Sequence, residues 1–126
     1  MGPRLRKMYA YHPRRRTRGK ELHKQAIHDI KHRISSDINS FLILLKEGNT
    51  TQITDAQTRA KTDYLKLSEE MRHIAARMGP KYVRAVRTYL DSVDAIVHTS
   101  KQWIDDAAMK QCFVTGEQLD RELAAA

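Results

Sequence analysis

The chain has little cysteine and few aromatic residues. Cys112 is its only cysteine, so no disulfide can form within the chain. It contains five Tyr, two Phe and one Trp, so its core must be mostly aliphatic. The absence of cysteine pairs favours an intracellular, reducing compartment. We expect a cytoplasmic protein. A mitochondrial location is the alternative, because an Arg-rich, acid-free N-terminus is typical of targeting segments.

Long hydrophobic runs are also absent. The longest apolar run, 41–45, is far shorter than the roughly 20 residues that a membrane-spanning helix needs. The N-terminus lacks the apolar centre of a secretory signal. We therefore expect no transmembrane segment.

Convergent catalytic or metal-binding groups are missing as well. None of the five glycines forms a phosphate-cradling motif, and Cys112 has no identifiable His partner. His28 and His32 have a spacing that a metal can bridge, but no further ligand accompanies them. Glu70 and His73 form one Glu-x-x-His unit, whereas di-iron bundles use two. The sequence thus predicts a protein that is not an enzyme and that has no cofactor and no metal.

The positive charge is concentrated at one end of the chain. The net charge is +8. Residues 1–20 contain no Asp or Glu, and their basic residues are Arg4, Arg6, Lys7, Arg14, Arg15, Arg16, Arg18 and Lys20. All 15 acidic residues lie further along, where they balance the remaining Lys and Arg. Because Pro3, Pro13 and Gly19 punctuate it, we predict that residues 1–19 form a flexible basic tail on a neutral domain, residues 20–126.

Apolar residues then recur at steps of three and four, which is typical of amphipathic helices. The first helix is predicted from about Lys20 to Lys46, ending at Gly48. The second begins at a capping box, 54–57, and stops before Gly79 and Pro80. The third has the longest apolar stripe, from Tyr82 to Ala107, and a capping-box match at 115–118 precedes a last helix. The predicted fold class is all-α: an antiparallel three-helix bundle with a short fourth C-terminal helix.

Antiparallel packing would gather basic residues at the pole that receives the tail. The opposite pole is predicted to be acidic, with Glu47, Asp55, Asp105, Asp106, Glu117, Asp120 and Glu122. Guanidinium groups fork onto phosphate oxygens, so the leading hypothesis is a non-catalytic nucleic-acid-binding subunit of a nucleoprotein assembly, with RNA preferred over DNA. The predicted contacts are Arg4, Arg6, Lys7, Arg14, Arg15, Arg16, Arg18, Lys20, Lys24, Lys81, Arg84 and Arg87. Anionic lipids and acidic proteins are alternative partners for such a tail.

The rival hypothesis is a helical structural or adaptor subunit. The predicted third helix is longer than two other helices of this size can cover, so part of its stripe would meet another protein subunit or a second copy of the chain. Trp103 and Ile104 lie on that stripe and are the predicted interface residues. Homo-oligomerisation is an expectation of this hypothesis.

Overall fold

Helices make up almost all of the part of the chain that the structure describes. The computed structural model describes the backbone of residues 2–48, 50–99 and 105–125, and the side chains of 19–48, 51–99 and 105–125. Its helices are α1 (Gly2–Glu47), α2 (Thr50–Met78), α3 (Pro80–Val97) and α4 (Asp106–Ala125), with no strand in these ranges. The all-α class is confirmed. Within the same ranges, no helix has both the length and the apolar character that crossing a membrane requires.

Two glycines end the first two helices, as the sequence predicts. Gly48 has φ 74° and donates its N–H to the carbonyl oxygens of Leu44 (3.0 Å) and Leu45 (3.2 Å). Gly79 has φ 134° and donates to the carbonyl oxygen of Ala75 at 3.2 Å. Positive φ strains L side chains and suits glycine. Pro80 then opens α3, where its missing N–H removes no helical hydrogen bond.

The apolar stripes of the first three helices form one core. The buried apolar side chains of α1 recur from Ile27 to Leu45, those of α2 from Ala56 to Ala75, and those of α3 from Tyr82 to Val97. Leu119 and Leu123 of α4 belong to the same cluster. The apolar residues of α1 that recur at steps of three and four, the spacing from which this helix is predicted, are all buried: Ile27, Ile30, Ile34, Ile38, Phe41 and Leu45.

Side-chain hydrogen bonds and ion pairs show how the helices are paired. Tyr64 of α2 donates its hydroxyl to the carbonyl oxygen of Leu90 in α3 at 3.0 Å. Lys81, at the start of α3, lies 3.5 Å from Glu122, near the end of α4. Ser92 and Thr115 join the middle of the same two helices by a hydroxyl–hydroxyl bond of 2.7 Å. The start of α3 therefore lies beside the end of α4.

The predicted long third helix is wrong. α3 ends at Val97, and His98 caps it by donating its N–H to the carbonyl oxygen of Asp94 at 3.1 Å. Gln57 of α2 donates its side-chain amide to the carbonyl oxygens of Val97 (3.1 Å) and Thr99 (2.8 Å). A side chain from another helix thus satisfies carbonyls that the end of α3 leaves without helical partners.

The capping box predicted at 54–57 is wrong for a related reason. α2 begins at Thr50, so Thr54 lies inside the helix, where its carbonyl oxygen accepts the hydroxyl hydrogen of Thr58 at 2.9 Å. Gln57, the predicted partner in the box, caps α3 instead. The sequence pattern was present, but tertiary contacts with the end of α3 gave the Gln57 side chain other partners.

The fourth helix is longer than predicted. α4 has 20 residues, against 18 in α3. It begins after Asp105, whose carboxylate accepts the N–H of Ala108 at 3.1 Å, a typical N-cap bond. Thr115 and Gly116, predicted to precede a short helix, are buried inside it. The expected three-helix bundle with a short appendage is therefore replaced by a bundle of four substantial helices in the described residues.

The first helix also begins earlier than predicted. α1 starts at Gly2 rather than near Lys20, so positions 2–19 add about 27 Å of helix at 1.5 Å per residue. Arg, Lys, Leu and Met favour helix, and Pro3 falls in the first turn, where proline is tolerated. Pro13 lies further inside and has no N–H to donate to the carbonyl of residue 9. Flexibility of residues 1–19 stays a prediction.

Candidate nucleic-acid interface

Most of the predicted contact residues precede the part of the chain whose side chains are described. The side chains of Arg4, Arg6, Lys7, Arg14, Arg15, Arg16 and Arg18 lie outside the described residues, although their backbone belongs to α1. Trp103 and Ile104, the predicted interface residues of the rival hypothesis, also lie outside them. The candidate site therefore has two parts: the basic segment, residues 1–20, and the described residues beside it.

Lys20 and Lys24 differ in availability. Lys20 is exposed, as a phosphate contact requires. The side chain of Lys24 is only 12% exposed, and its Nζ lies 3.5 Å from Oε1 of Glu21. Its stem packs against the bundle while the ammonium group faces a carboxylate of the same helix. Lys24 is thus a weaker candidate than the sequence suggested.

The predicted separation of charge between two poles is wrong for α4. Glu122 lies beside Lys81, and Asp120 bonds to Lys31 of α1 at 2.6 Å, with His28 Nδ1 3.7 Å away. These carboxylates were expected at the opposite end of the bundle. Because α4 is a full-length helix, it returns alongside α1 and α3 and brings acidic residues to the end that was expected to be basic.

Lys81, Arg84 and Arg87 lie on α3, and all three are exposed. Lys81 is the most constrained, since its Nζ contacts Glu122 and lies 5.2 Å from the ring centroid of Tyr82. Arg84 lines a groove between α3 and α4, whereas Arg87 does not. We call this the α3–α4 groove; it is lined by Lys81, Arg84, Ala85, Thr88, Gln118, Arg121 and Glu122. Arg121 is missing from the predicted contacts because the last helix was predicted to be short and to lie at the acidic pole, opposite the tail.

A second groove, between α1 and α4, has a different character. Its lining includes Ile38, Leu42, Ile96, Met109 and Phe113. Phe113 is 67% exposed and Met109 36%. We call it the α1–α4 groove. Its apolar lining suits contact with another apolar surface rather than with phosphate.

Cys112 and Gly116 have packing roles rather than chemical ones. Cys112 is half-buried, and burial raises the pKa of its thiol, which disfavours the reactive thiolate. Gly116 lies where α4 packs closely against Lys31 of α1: a Cβ added at this glycine would be only 3.2 Å from Cε of the lysine. Among the described residues, no three His, Cys, Asp or Glu side chains cluster as a metal site would need.

Asp37 of α1 faces Asp63 of α2. Partial burial, a hydrogen bond to Asp63 and repulsion from that carboxylate together raise the pKa of Asp37 to about 6, while Arg33 and Arg59 oppose the shift. A folded-state pKa above the ordinary 3.8 means that the folded chain holds this proton more tightly than the unfolded chain. The resulting stability is fully present below about pH 4 and is lost as the pH rises through about 6.

Replacing Asp37 by Asn should therefore stabilise the protein at neutral pH. The amide stays neutral and can donate to Asp63, so the variant should gain about 1 kcal/mol at pH 7.5, allowing for solvent screening. Near pH 4 its advantage should vanish. Thermal unfolding at both pH values measures the difference, with Glu70→Gln on the exposed face of α2 as a control. An equal effect of Asp37→Asn at both pH values would contradict the raised pKa of Asp37.

Comparison with known proteins gives no relative. No family model, no curated protein and no solved structure matches this chain.

Proposed function

We propose that this protein is a non-catalytic nucleic-acid-binding subunit of a nucleoprotein assembly, with the basic segment contacting phosphates and RNA preferred over DNA. The observation that carries the proposal is the eight Lys and Arg residues, with no acidic residue, in the first 20 positions of a chain that is otherwise balanced in charge. Such a charge distribution attracts polyanions through the release of their counterions.

Helical spacing supports this proposal. Arg4, Lys7, Arg14 and Arg18 follow steps compatible with one face of a helix. At about 1.5 Å per residue, 18 residues span about 27 Å, which matches about eight phosphate steps along one strand of a duplex. We further propose an antiparallel bundle, in which the ends of α2 and α4 lie near the residues that follow the basic segment. Contacts of this kind position a protein on nucleic acid but read little sequence.

The salt dependence of binding by the full chain tests the proposal. Fluorescence anisotropy would follow a labelled short RNA and a labelled short duplex DNA over a salt series. Neutralising four to eight phosphates should give a log–log slope of roughly −4 to −7 for the duplex. Tighter binding of RNA would support a ribonucleoprotein role. Absence of binding to either nucleic acid at low salt would reject the proposal.

A helical structural or adaptor subunit is the second candidate function. The sequence-based argument for it was a third helix too long for the bundle to cover. That argument fails because α3 ends at Val97. The observation that now favours it is the exposure of Phe113 and Met109 at the α1–α4 groove. We propose a second copy of the chain as the partner, since one patch can meet itself across a two-fold axis. Light scattering tests this, and a monomeric mass at high concentration would count against it.

A further inference from the structure

The α3–α4 groove brings basic side chains of two helices together. Lys81 and Arg84 come from α3, and Arg121 comes from α4. The groove lies where the start of α3 meets the end of α4, as the contact between Lys81 and Glu122 shows. We propose that it is a second phosphate-binding site, which takes one backbone phosphate of the nucleic acid that the basic segment binds. This inference rests on the proposed function.

The two arginines are available for a new partner. Arg84 is exposed. The Arg121 side chain is 74% exposed, and its Nη2 lies 3.7 Å from Oε2 of Glu117. An exposed pair at that distance contributes little stability, so a phosphate can replace the carboxylate. Two guanidinium groups on opposite walls can each donate two hydrogen bonds to phosphate oxygens.

The neutral residues of the groove are not equivalent. Gln118 offers an amide that can donate to a phosphate oxygen. Thr88 lines the same groove, but its hydroxyl already donates to the carbonyl oxygen of Arg84 at 2.9 Å. The expected phosphate ligands are therefore Arg84, Arg121 and Gln118, and Thr88 forms part of the wall.

Glu122 limits the affinity of the groove. Among the described residues that line it, Glu122 is the only acidic one, and its Oε2 lies 3.5 Å from Nζ of Lys81. The carboxylate repels a phosphate and engages the third cation of the groove. Removing its charge would free Lys81 for the phosphate. Glu122→Gln should therefore strengthen binding to nucleic acid.

A matched set of full-length variants tests the site. Arg84→Gln combined with Arg121→Gln removes both guanidinium groups of the groove, whereas Arg87→Gln combined with Lys110→Gln removes two exposed cations of α3 and α4 that lie outside it. Loss of one phosphate contact should make the duplex-DNA salt slope shallower by about 0.9 and weaken binding about 10-fold near 0.1 M salt. The control pair, Arg87→Gln with Lys110→Gln, should change the slope much less, and Glu122→Gln should raise the affinity.

The outcomes separate this inference from the proposed function. If the groove variant matched the control pair in slope and affinity, while wild type bound with a steep slope, the groove would be overturned as a phosphate site and the basic segment would stay in place. Failure of wild type to bind at low salt would overturn the proposed function itself. Anionic phospholipid vesicles form a further arm. If Arg84 and Arg121 were needed for binding to vesicles but not for binding to duplex DNA, the assignment of the groove to nucleic acid would be overturned.

Discussion

Replacing Arg14, Arg15, Arg16 and Arg18 by alanine is expected to weaken binding to duplex DNA by about 10³-fold near 0.1 M salt. If all four contact phosphates, the loss makes the salt slope shallower by about 3.6, because each contact contributes about 0.9. Alanine is the best helix former, so the substitutions should not disrupt α1. Circular dichroism and thermal unfolding would verify that the fold is unchanged, and anisotropy over a salt series would measure the slope.

A control with the same change in net charge separates position from total charge. The exposed cations Lys46, Arg59, Lys66 and Lys110 lie on α1, α2 and α4, outside the basic segment. Alanine at these four positions should leave most of the affinity and most of the slope. If both quadruple variants lost affinity equally, net charge alone would explain the binding, and the basic segment would have no special part in it.

The helical core could be predicted because its signal is local and repeated. The stripe from Ile27 to Leu45 recurs at helical spacing, and each member of it is buried. Gly48 and Gly79 stand where the backbone adopts positive φ, which few other residues tolerate. Both signals can be read within a few residues of the chain, so the first two reversals of the bundle were foreseeable.

The break between α3 and α4 could not be predicted in the same way. Apolar periodicity continues from Tyr82 to Ala107 and suggests one helix. α3 nevertheless ends at Val97, whose carbonyl oxygen accepts a hydrogen bond from the side-chain amide of Gln57, 40 residues earlier in the chain. A local signal did exist in Asp105, whose carboxylate caps α4, but the continuing stripe obscured it. The hydrogen bonds from Gln57 join residues far apart in the chain, so the local sequence of α3 gave no sign of them.

The same error shaped the predicted site. A long third helix followed by a short fourth one predicts that Glu122 lies far from Lys81, and it brings Arg121 no closer to Arg84. Returning α4 to the bundle pairs Glu122 with Lys81 and adds Arg121 to the groove beside Arg84. The concentration of charge in residues 1–20 needed no fold, because it is a property of composition. The positions of Glu122 and Arg121 at that end of the bundle, in contrast, follow only from the tertiary arrangement of α4.

The importance of α4 to the core leads to a large expected effect on stability. Leu119 is fully buried, with 0% of its surface exposed, and belongs to the same apolar cluster as the cores of α1, α2 and α3. Leu119→Ala should lower the free energy of unfolding by about 2–5 kcal/mol, because the lost methyl groups leave a cavity that the helices only partly fill. Urea unfolding would measure the loss.

Leu65→Ala is the matched control for this prediction. Leu65 lies on α2 with 65% of its surface exposed, so the same substitution there removes little buried area and should cost less than about 1 kcal/mol. If Leu119→Ala cost no more than this control, α4 would not be part of the core. The wall that Gln118 and Arg121 form opposite Arg84 would then have no fixed position, and the α3–α4 groove could not bind a phosphate from both sides. The stability of Leu119→Ala therefore tests whether α4 is packed firmly enough to form one wall of the second phosphate site.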